Sequence, residues 1–562
     1  MLANLGASLR KCRRAEYGKA ERRIDVQNEK GVFATTMRGR RTTSKSLFRG
    51  KLAKMFRRAR LRDILIMVWA ADAIRLGEPE RVRGRLTYPE SAIGSRPGNE
   101  FFMAPWTLET MVNEALVHPP APSKPSTPSK RLNTKLWQSF TMLFNLINDI
   151  EDAESLEDIP EGEILAAMSR IGWRQFGWQV GYKTASRMFR AWWLYNSLEA
   201  NDHFEAKYGI SLERFCFVAF GIAAQLTNFP AVRIDSSMAS VGISDAERDA
   251  VFNIIAKTSA DARREAKNAR AGKGQIAYKP SILRRWPLIS VQKDESWEAF
   301  CPIPTLLYLR MSDGLFYDLV DNDNVRRIIG ERFESYAVEI TKHYIGTEFQ
   351  VLSEAEYGAK ANPAKTPDVR VVSQQNALRV VIECKARKIP FKVLSSPNPY
   401  FENEEIYDEL IKGVCQVWRY VSDVRRGVAD NNWSISDDVV GLVLMLEPWF
   451  QMSSQTVKHI TDAAEARCAG TSGILPQDRI AVSFVAMDDW EFSLRKIGAE
   501  GMIAALNKHA HPDRFGYMLS TVVEEIAEDF KEPVDAYDYS TGINRVLPWM
   551  QDIDEGRVPD AT

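Results

Sequence analysis

The chain has 562 residues, 45% hydrophobic and 26% charged, with 74 basic residues against 74 acidic ones, a globular composition that excludes wholesale disorder and, at roughly 100–200 residues per domain, provides for two to four domains. The neutral total is uneven, because residues 1–70 carry 19 Lys and Arg and 5 Asp and Glu, a net +14, and the remainder sums to −14. Such asymmetry points to a polyanion-binding region joined to a different body.

In chain order, residues 1–118 read as a basic N-terminal region whose densest part is Arg38, Arg40, Arg41, Arg49, Lys51, Lys54, Arg57, Arg58, Arg60 and Arg62. Such a segment gives salt-dependent, sequence-independent attraction to nucleic-acid phosphates; the alternative is an arm for an acidic protein or for the acidic remainder of the chain. Five prolines and three serines between Val117 and Lys130 oppose regular packing and mark 119–130 as a linker. Residues 131–320 read as a helical domain with short strands at its end. Apolar residues at three- and four-residue spacing predict helices over Leu136–Ile150, Glu163–Ile171, Thr184–Glu199 and Leu212–Leu226. Ser244 and Glu247 form a capping-box pattern opening a helix over Asp245–Ala271. Strands follow at Trp286–Val291 and Glu298–Cys301, then a helix at Pro304–Val320. Aromatic and basic residues interleave from Trp173 to Trp193, which fits helix core better than a base-stacking platform.

From 321 to 535 the pattern becomes α/β. Helices are expected at Asn324–Tyr344, Glu404–Arg425, Ser454–Ala469, Phe492–Lys508 and Tyr517–Phe530. Strands are expected at Phe349–Ser353, Asp368–Val372, Leu378–Lys385, Val439–Leu446 and Ile480–Met487, giving a mixed central sheet. Residues 536–562 read as a C-terminal tail.

Several chemistries lack their residues. The six cysteines, Cys12, Cys216, Cys301, Cys384, Cys415 and Cys468, are scattered, which disfavours a disulfide framework and fits a reducing compartment. No His-Glu-x-x-His, Walker loop, dinucleotide fingerprint or nucleophile elbow occurs. No apolar run approaches the roughly 18–20 residues that span a bilayer, and no secretory signal is evident. The expectation is a soluble, cytoplasmic protein.

The informative stretch is Thr366-Pro367-Asp368 leading one strand, and Leu378–Lys385 forming the next after a short polar connection. Alternation puts Leu378, Val380, Ile382 and Cys384 on one face and Val381, Glu383 and Lys385 on the other. Asp368, Glu383 and Lys385 then make a compact acid–acid–base cluster. Two carboxylates there suit a hard cation such as Mg²⁺, and a lysine beside them can orient a water or neutralise charge on a phosphate.

Pro367-Asp368 followed by Glu383-Cys384-Lys385 resembles the PD-(D/E)xK nuclease superfamily, which has the restriction-endonuclease-like fold. The resemblance covers roughly 324–487. It implies that Asp368 and Glu383 ligate Mg²⁺ (or Mn²⁺ in its place), that the Cys384 backbone carbonyl completes the metal shell, and that Lys385 positions and activates the attacking water. Glu334, on the helix before the sheet, resembles the superfamily's first-helix acid, although it lies beyond the margin of the stripe Val325, Ile329, Tyr336 and Ile340. Gln416 and Tyr420 resemble the Gln-x-x-x-Tyr helix signature of RecB-type members.

The expected whole is a restriction-endonuclease-like α/β domain preceded by a mainly helical region. Its activity would be metal-dependent hydrolysis of nucleic acid, endonucleolytic and on DNA before RNA. The large N-terminal part resembles bacterial restriction and anti-phage defence proteins, with an oligomer or a trigger protein open as partners. The other reading is a nucleic-acid-binding sensor with an inactive nuclease-like body.

Overall fold

The computed structural model describes residues 45–120, 131–155, 171–172, 174–175, 177–271, 274–293, 296–359, 363–389, 404–429, 433–447, 454–471, 473–530 and 535–554. These divide between two compact units. One draws on Met1–Ile159, Gly177–Asp321 and Ser540–Thr562, the other on Pro160–Phe176 and Asn322–Tyr539.

The first unit is mainly helical. Its helices α1 (Lys45–Phe56), α2 (Leu61–Arg75), α3 (Pro105–Val117) and α4 (Trp137–Ser155) bury Leu52, Leu65, Leu108, Phe140 and Ile147 in a single apolar cluster. Helices on both sides of the Pro/Ser-rich segment thus share one core; residues 121–130 lie outside the described residues, as does most of the helix expected at Glu163–Ile171.

The helix expected over Thr184–Glu199 stops at Asn196. It splits into α5 (Ala185–Tyr195) and α6 (Leu198–Tyr208), because Ser197 caps the second piece by accepting from the Ala200 N–H at 3.1 Å. α7 spans Leu212–Asn228. The Ser244–Glu247 capping box forms, with the Ser244 N–H 2.8 Å from Glu247 Oε2, and opens α8 (Asp245–Ile255). The expected continuation to Ala271 is broken by a short strand at Ala256–Thr258, after which Thr258 caps α9 (Ser259–Arg270). A four-stranded sheet has the order β1–β4–β3–β2, from Ala231–Arg233 (β1), Ala256–Thr258 (β2), Leu288–Lys293 (β3) and Ser296–Phe300 (β4). The helix expected over Pro304–Val320 also divides, into Thr305–Arg310 and Phe316–Leu319.

The described aromatics of the interleaved stretch are core. Tyr182, Phe189 and Trp192 are buried, the Trp178 indole donates to Glu109 at 2.8 Å, and that of Trp192 donates to the Met311 carbonyl at 3.2 Å. Of the residues expected as tail, 536–539 belong to the second unit and those from Ser540 onward to this one. Two helices, Tyr539–Val546 and Trp549–Asp554, follow residue 538, and the Trp549 ring lies 5.2 Å from Phe217 and 5.8 Å from Phe220.

The basic region is not one uniform surface. Arg38, Arg40 and Arg41 lie outside the described residues. Arg49 is ion-paired with Glu154, whose side chain is fully buried, and Arg62 pairs with Glu298 at 3.3 Å. Each guanidinium thus has an acidic partner within its own unit, while 37% of the Arg49 side chain and 39% of the Arg62 side chain remain exposed. Arg58 is half-buried, whereas Lys51, Lys54, Arg57 and Arg60 are exposed or partly so.

In the second unit, α10 (Asp323–Ile345) precedes strands β5 (Phe349–Ser353), β6 (Glu356–Tyr357), β7 (Ala364–Lys365), β8 (Val369–Ser373) and β9 (Ala377–Lys385). Then come α11 (Glu404–Arg425), β10 (Ser434–Met445), α12 (Ser454–Cys468), β11 (Val482–Ala486), α13 (Met487–Leu494), α14 (Ala499–His509) and α15 (Leu519–Ile526). β6 and β7 pair with each other. The other five strands form a mixed sheet in the order β11–β10–β9–β8–β5. β5, β8 and β9 are antiparallel neighbours, and β10 runs parallel to both β9 and β11, with α11 and α12 as the helical crossovers.

The helix expected over Phe492–Lys508 is interrupted, and Gly498 stands at the start of α14. α15 begins where the buried Asp489 carboxylate accepts from the Leu519 and Ser520 N–H groups at 2.7 and 3.1 Å, so a side chain from another helix satisfies its free donors. Among the described residues no single helix is long and apolar enough to cross a membrane.

Removing a partner of a buried acid leaves it with fewer hydrogen bonds. Glu154 keeps the Ile276 N–H, so Arg49→Ala should lower unfolding free energy in a denaturant titration by about 1–2 kcal/mol, while Lys54→Ala, exposed on α1, should stay within about 0.5 kcal/mol of the parent.

Candidate active site

Antiparallel pairing of β8 and β9 sets Val369 opposite Ile382. One step further in register, Asp368 and Glu383 face each other at the strand ends, on one side of the sheet. Both are buried, at 6% and 4% exposure. The Cys384 N–H donates to Asp368 Oδ2 at 2.6 Å. This fixes the aspartate against the end of β9, and it gives Cys384 a role through its amide that the motif alone does not show.

Glu383 is held from the other side. Lys385 Nζ lies 2.8 Å from Glu383 Oε1 and 3.2 Å from Gln416 Oε1. Lys385 thus bridges Glu383 on β9 to Gln416 on α11, and Gln416 lies near enough to favour the charged form of Glu383. The expectations for Asp368, Glu383, Lys385 and Gln416 coincide in space.

Glu334 is half-buried on α10. Despite lying beyond the edge of its helix's apolar stripe, it is close enough to interact electrostatically with both Asp368 and Glu383. Tyr420, one turn beyond Gln416, enters the apolar cluster beneath α11, its ring edge-on to Tyr357 at 6.1 Å.

Two participants are not evident from the sequence. Glu354 directly follows β5, whose Ser353 pairs with Val369, so Glu354 comes opposite Asp368 and adds negative charge near Glu383 and Glu334. Knowing that β5 pairs with β8 would have found it.

The second is Gly413, in the interior of α11. A Cβ there would sit 3.2 Å from Lys385 Cε, 3.4 Å from Val443 Cγ2 and 3.5 Å from Glu383 Cγ. A glycine inside a helix costs about 0.8–1 kcal/mol relative to alanine, so its use at a close approach marks a packing requirement.

A β-bulge adjusts the faces. Val371 pairs with Val380 but Val372 with Leu378, so Arg379 is the extra residue, and its guanidinium turns out to Asp438 and Glu500 at 2.7 and 2.8 Å. Leu378 consequently joins Val381 in the core under α11, contrary to the strict alternation expected from the sequence.

The electrostatics follow from burial. Desolvation, then Glu383 and Glu334, push the Asp368 carboxyl well above its ordinary range. Burial raises Glu383 too, although Lys385 and Gln416 oppose the shift. Glu334 is pushed up to about 7 by burial and by the negative charges of Glu354, Glu383 and Glu331. Burial acts to lower the Lys385 ammonium pKa, but Glu383 outweighs it and raises it. Lys385 is therefore a cation at neutral pH, a donor and charge stabiliser rather than a base.

The residues present fit a hard divalent cation. Asp368 and Glu383 offer carboxyl oxygens side by side, and a cation bound between them would take the place of the proton that the raised pKa of Asp368 retains. Among the described residues no three His, Cys, Asp or Glu side chains are arranged to hold a metal by themselves. Two carboxylates supplemented by water and substrate oxygens is the sparser donor set that Mg²⁺ ordinarily takes. No protein-family model, curated protein or solved structure matches the chain.

A carboxylate with a raised folded pKa binds more protons folded than unfolded, so stability falls as pH rises through the interval between the two values. For Glu334 that interval runs from 4.5 to about 7. In metal-free thermal melts the Tm of the parent should drop more steeply across this interval than that of Glu334→Gln. Parallel curves would show that Glu334 does not carry the charge strain.

Proposed function

We propose that the second unit is a metal-dependent phosphodiesterase of the PD-(D/E)xK type, acting on nucleic acid as an endonuclease, with DNA the first substrate to test and RNA the second. The observation that carries this reading is the meeting of Asp368, Glu383 and Lys385 at the ends of two paired strands. The mixed sheet with an antiparallel β5–β8–β9 half agrees with it.

Asp368 and Glu383, with the Cys384 carbonyl, would hold Mg²⁺ or Mn²⁺. The cation supplies Lewis-acid stabilisation of the phosphate and of the attacking oxygen. Lys385, charged and held between Glu383 and Gln416, donates to the attacking water or to a phosphate oxygen, opposing the charge that builds as the new P–O bond forms and the old one breaks. Gln416 fixes the direction of that ammonium, and Glu334 and Glu354 add the negative field that favours a divalent cation. Lys51, Lys54, Arg57 and Arg60, at least partly exposed on the first unit, are the basic groups suited to non-specific phosphate binding. A restriction or anti-phage effector is the setting in which such a nuclease joins a large additional region.

The test is cleavage of end-labelled DNA and RNA with Mg²⁺ or Mn²⁺. Asp368→Asn, Glu383→Gln and Lys385→Met should each lower cleavage by about 10²–10³-fold while the circular dichroism spectrum stays that of the parent. Full-rate cutting by folded Lys385→Met would remove the assigned role, and metal-independent binding of every substrate without cutting would favour a sensor. Replacing Lys51, Lys54, Arg57 and Arg60 with alanine should flatten the dependence of log K on log salt by roughly 0.9 for each duplex phosphate that is no longer neutralised.

A further inference from the structure

The active-site lysine has four methylenes between backbone and charge, and such a side chain ordinarily samples many rotamers. Here its ammonium must stay on Glu383 and Gln416. What restricts it is the surface of α11 lying directly over its stem, and the residue of α11 at that point is Gly413.

Adding one methyl at Gly413 would meet the Lys385 stem first and the Glu383 stem close behind, with Val443 of β10 closing the remaining side. Gln416, the residue that accepts from Lys385, lies three residues along the same helix and so on the same face. The other described glycine well inside a helix before a candidate site residue, Gly330 on α10, has nothing within 4 Å of its Cβ position. A close approach is thus not a necessary consequence of a helical glycine; Gly501 and Gly542 also have one, at 2.8 Å, but against Phe530 and Phe189 and away from the candidate site residues.

We propose that Gly413 is a positioning residue: its missing side chain lets α11 press on the stems of Lys385 and Glu383, holding the ammonium in the one arrangement that reaches both Glu383 and Gln416. This rests on the nuclease reading for its catalytic consequence but not for its geometry. Gly413 touches neither metal nor substrate and acts only through Lys385 and Glu383. A wedge at this position moves the charge without removing it. The effect therefore falls on turnover, while substrate phosphates held by other basic groups bind as before.

The experiment compares the parent, Gly413→Ala and Gly330→Ala in the full chain. Gly330→Ala, with open space at its Cβ position, should melt at or above the parental temperature, and Gly413→Ala should melt within a few degrees of the parent, its gain in helix propensity offset by the close contacts with Lys385 and Val443. Cleavage by Gly413→Ala should nevertheless fall about 10–100-fold in kcat with KM within about twofold, the range expected from misplacing a catalytic group. Gly330→Ala should cut at the parental rate. Independently of cleavage, reductive methylation with formaldehyde and borohydride, read by peptide mass spectrometry, should label Lys385 several-fold faster in Gly413→Ala than in the parent. Unchanged labelling of Lys385 would overturn the inference whether or not the protein cuts. So would parental kcat in an active Gly413→Ala protein, or a fall in Tm of more than about 10 °C that accompanies the loss of activity. A parent that cuts nothing, combined with faster Lys385 labelling in Gly413→Ala, would reject the nuclease reading and leave the positioning geometry standing.

Discussion

The pairing of β8 with β9 is the constraint on which the site depends. Val369 opposite Ile382 obliges the next residues, Asp368 and Glu383, to share one patch of buried space. Like charges so placed repel, and neither has the water that would ordinarily screen it. A loop would relax by swinging one of them out. A strand end held in a five-stranded sheet cannot, because a shift by one residue would turn every apolar side chain of β9 to the opposite face. The sheet therefore maintains an unfavourable charge arrangement, and the Cys384 amide and Lys385 ammonium offset only part of it. Asp368 relieves the remainder by keeping its proton well above the ordinary carboxylate range.

Much of the second unit is legible in the sequence. β5 and α11 have the bounds their periodicity implies, and β8 and β9 differ by one residue, because each buries a face whose pattern is continuous along the chain. The core of the site is legible in part for the same reason, since Glu383 and Lys385 lie on the regular end of β9 beyond the bulge and Asp368 directly precedes β8. What escapes is set by pairing rather than by pattern. Glu354 becomes a neighbour of Asp368 only once β5 is laid against β8, and Gly413 acquires meaning only once α11 lies over Lys385. The bulge at Arg379 is equally invisible, as it moves Leu378 between faces without altering local composition.

In the first unit the periodicity overruns the helix ends. Apolar spacing continues through Ser197 and Thr258, yet each of these side chains captures an N–H group and starts a new helix instead. Charge misleads in another way. A run of basic residues gives the same count whether its members face solvent or a buried carboxylate, and Arg49 on Glu154 belongs to the second kind. The positive excess near the N-terminus is thus partly internal counter-charge and partly exposed surface.

The helical core includes Trp549, packed edge-on against Phe217 and Phe220, and the residues of the second unit lie between these partners in the chain. A ribosome working from the N-terminus delivers all of the second unit's sheet before it delivers that tryptophan. The sheet can therefore close while its host still waits for the last pieces of its own interior, and the phenylalanines that receive Trp549 stay uncovered for the whole interval. The body begun first is thus the one completed last, and an apolar seam left open during synthesis is the kind of surface on which partly folded chains aggregate.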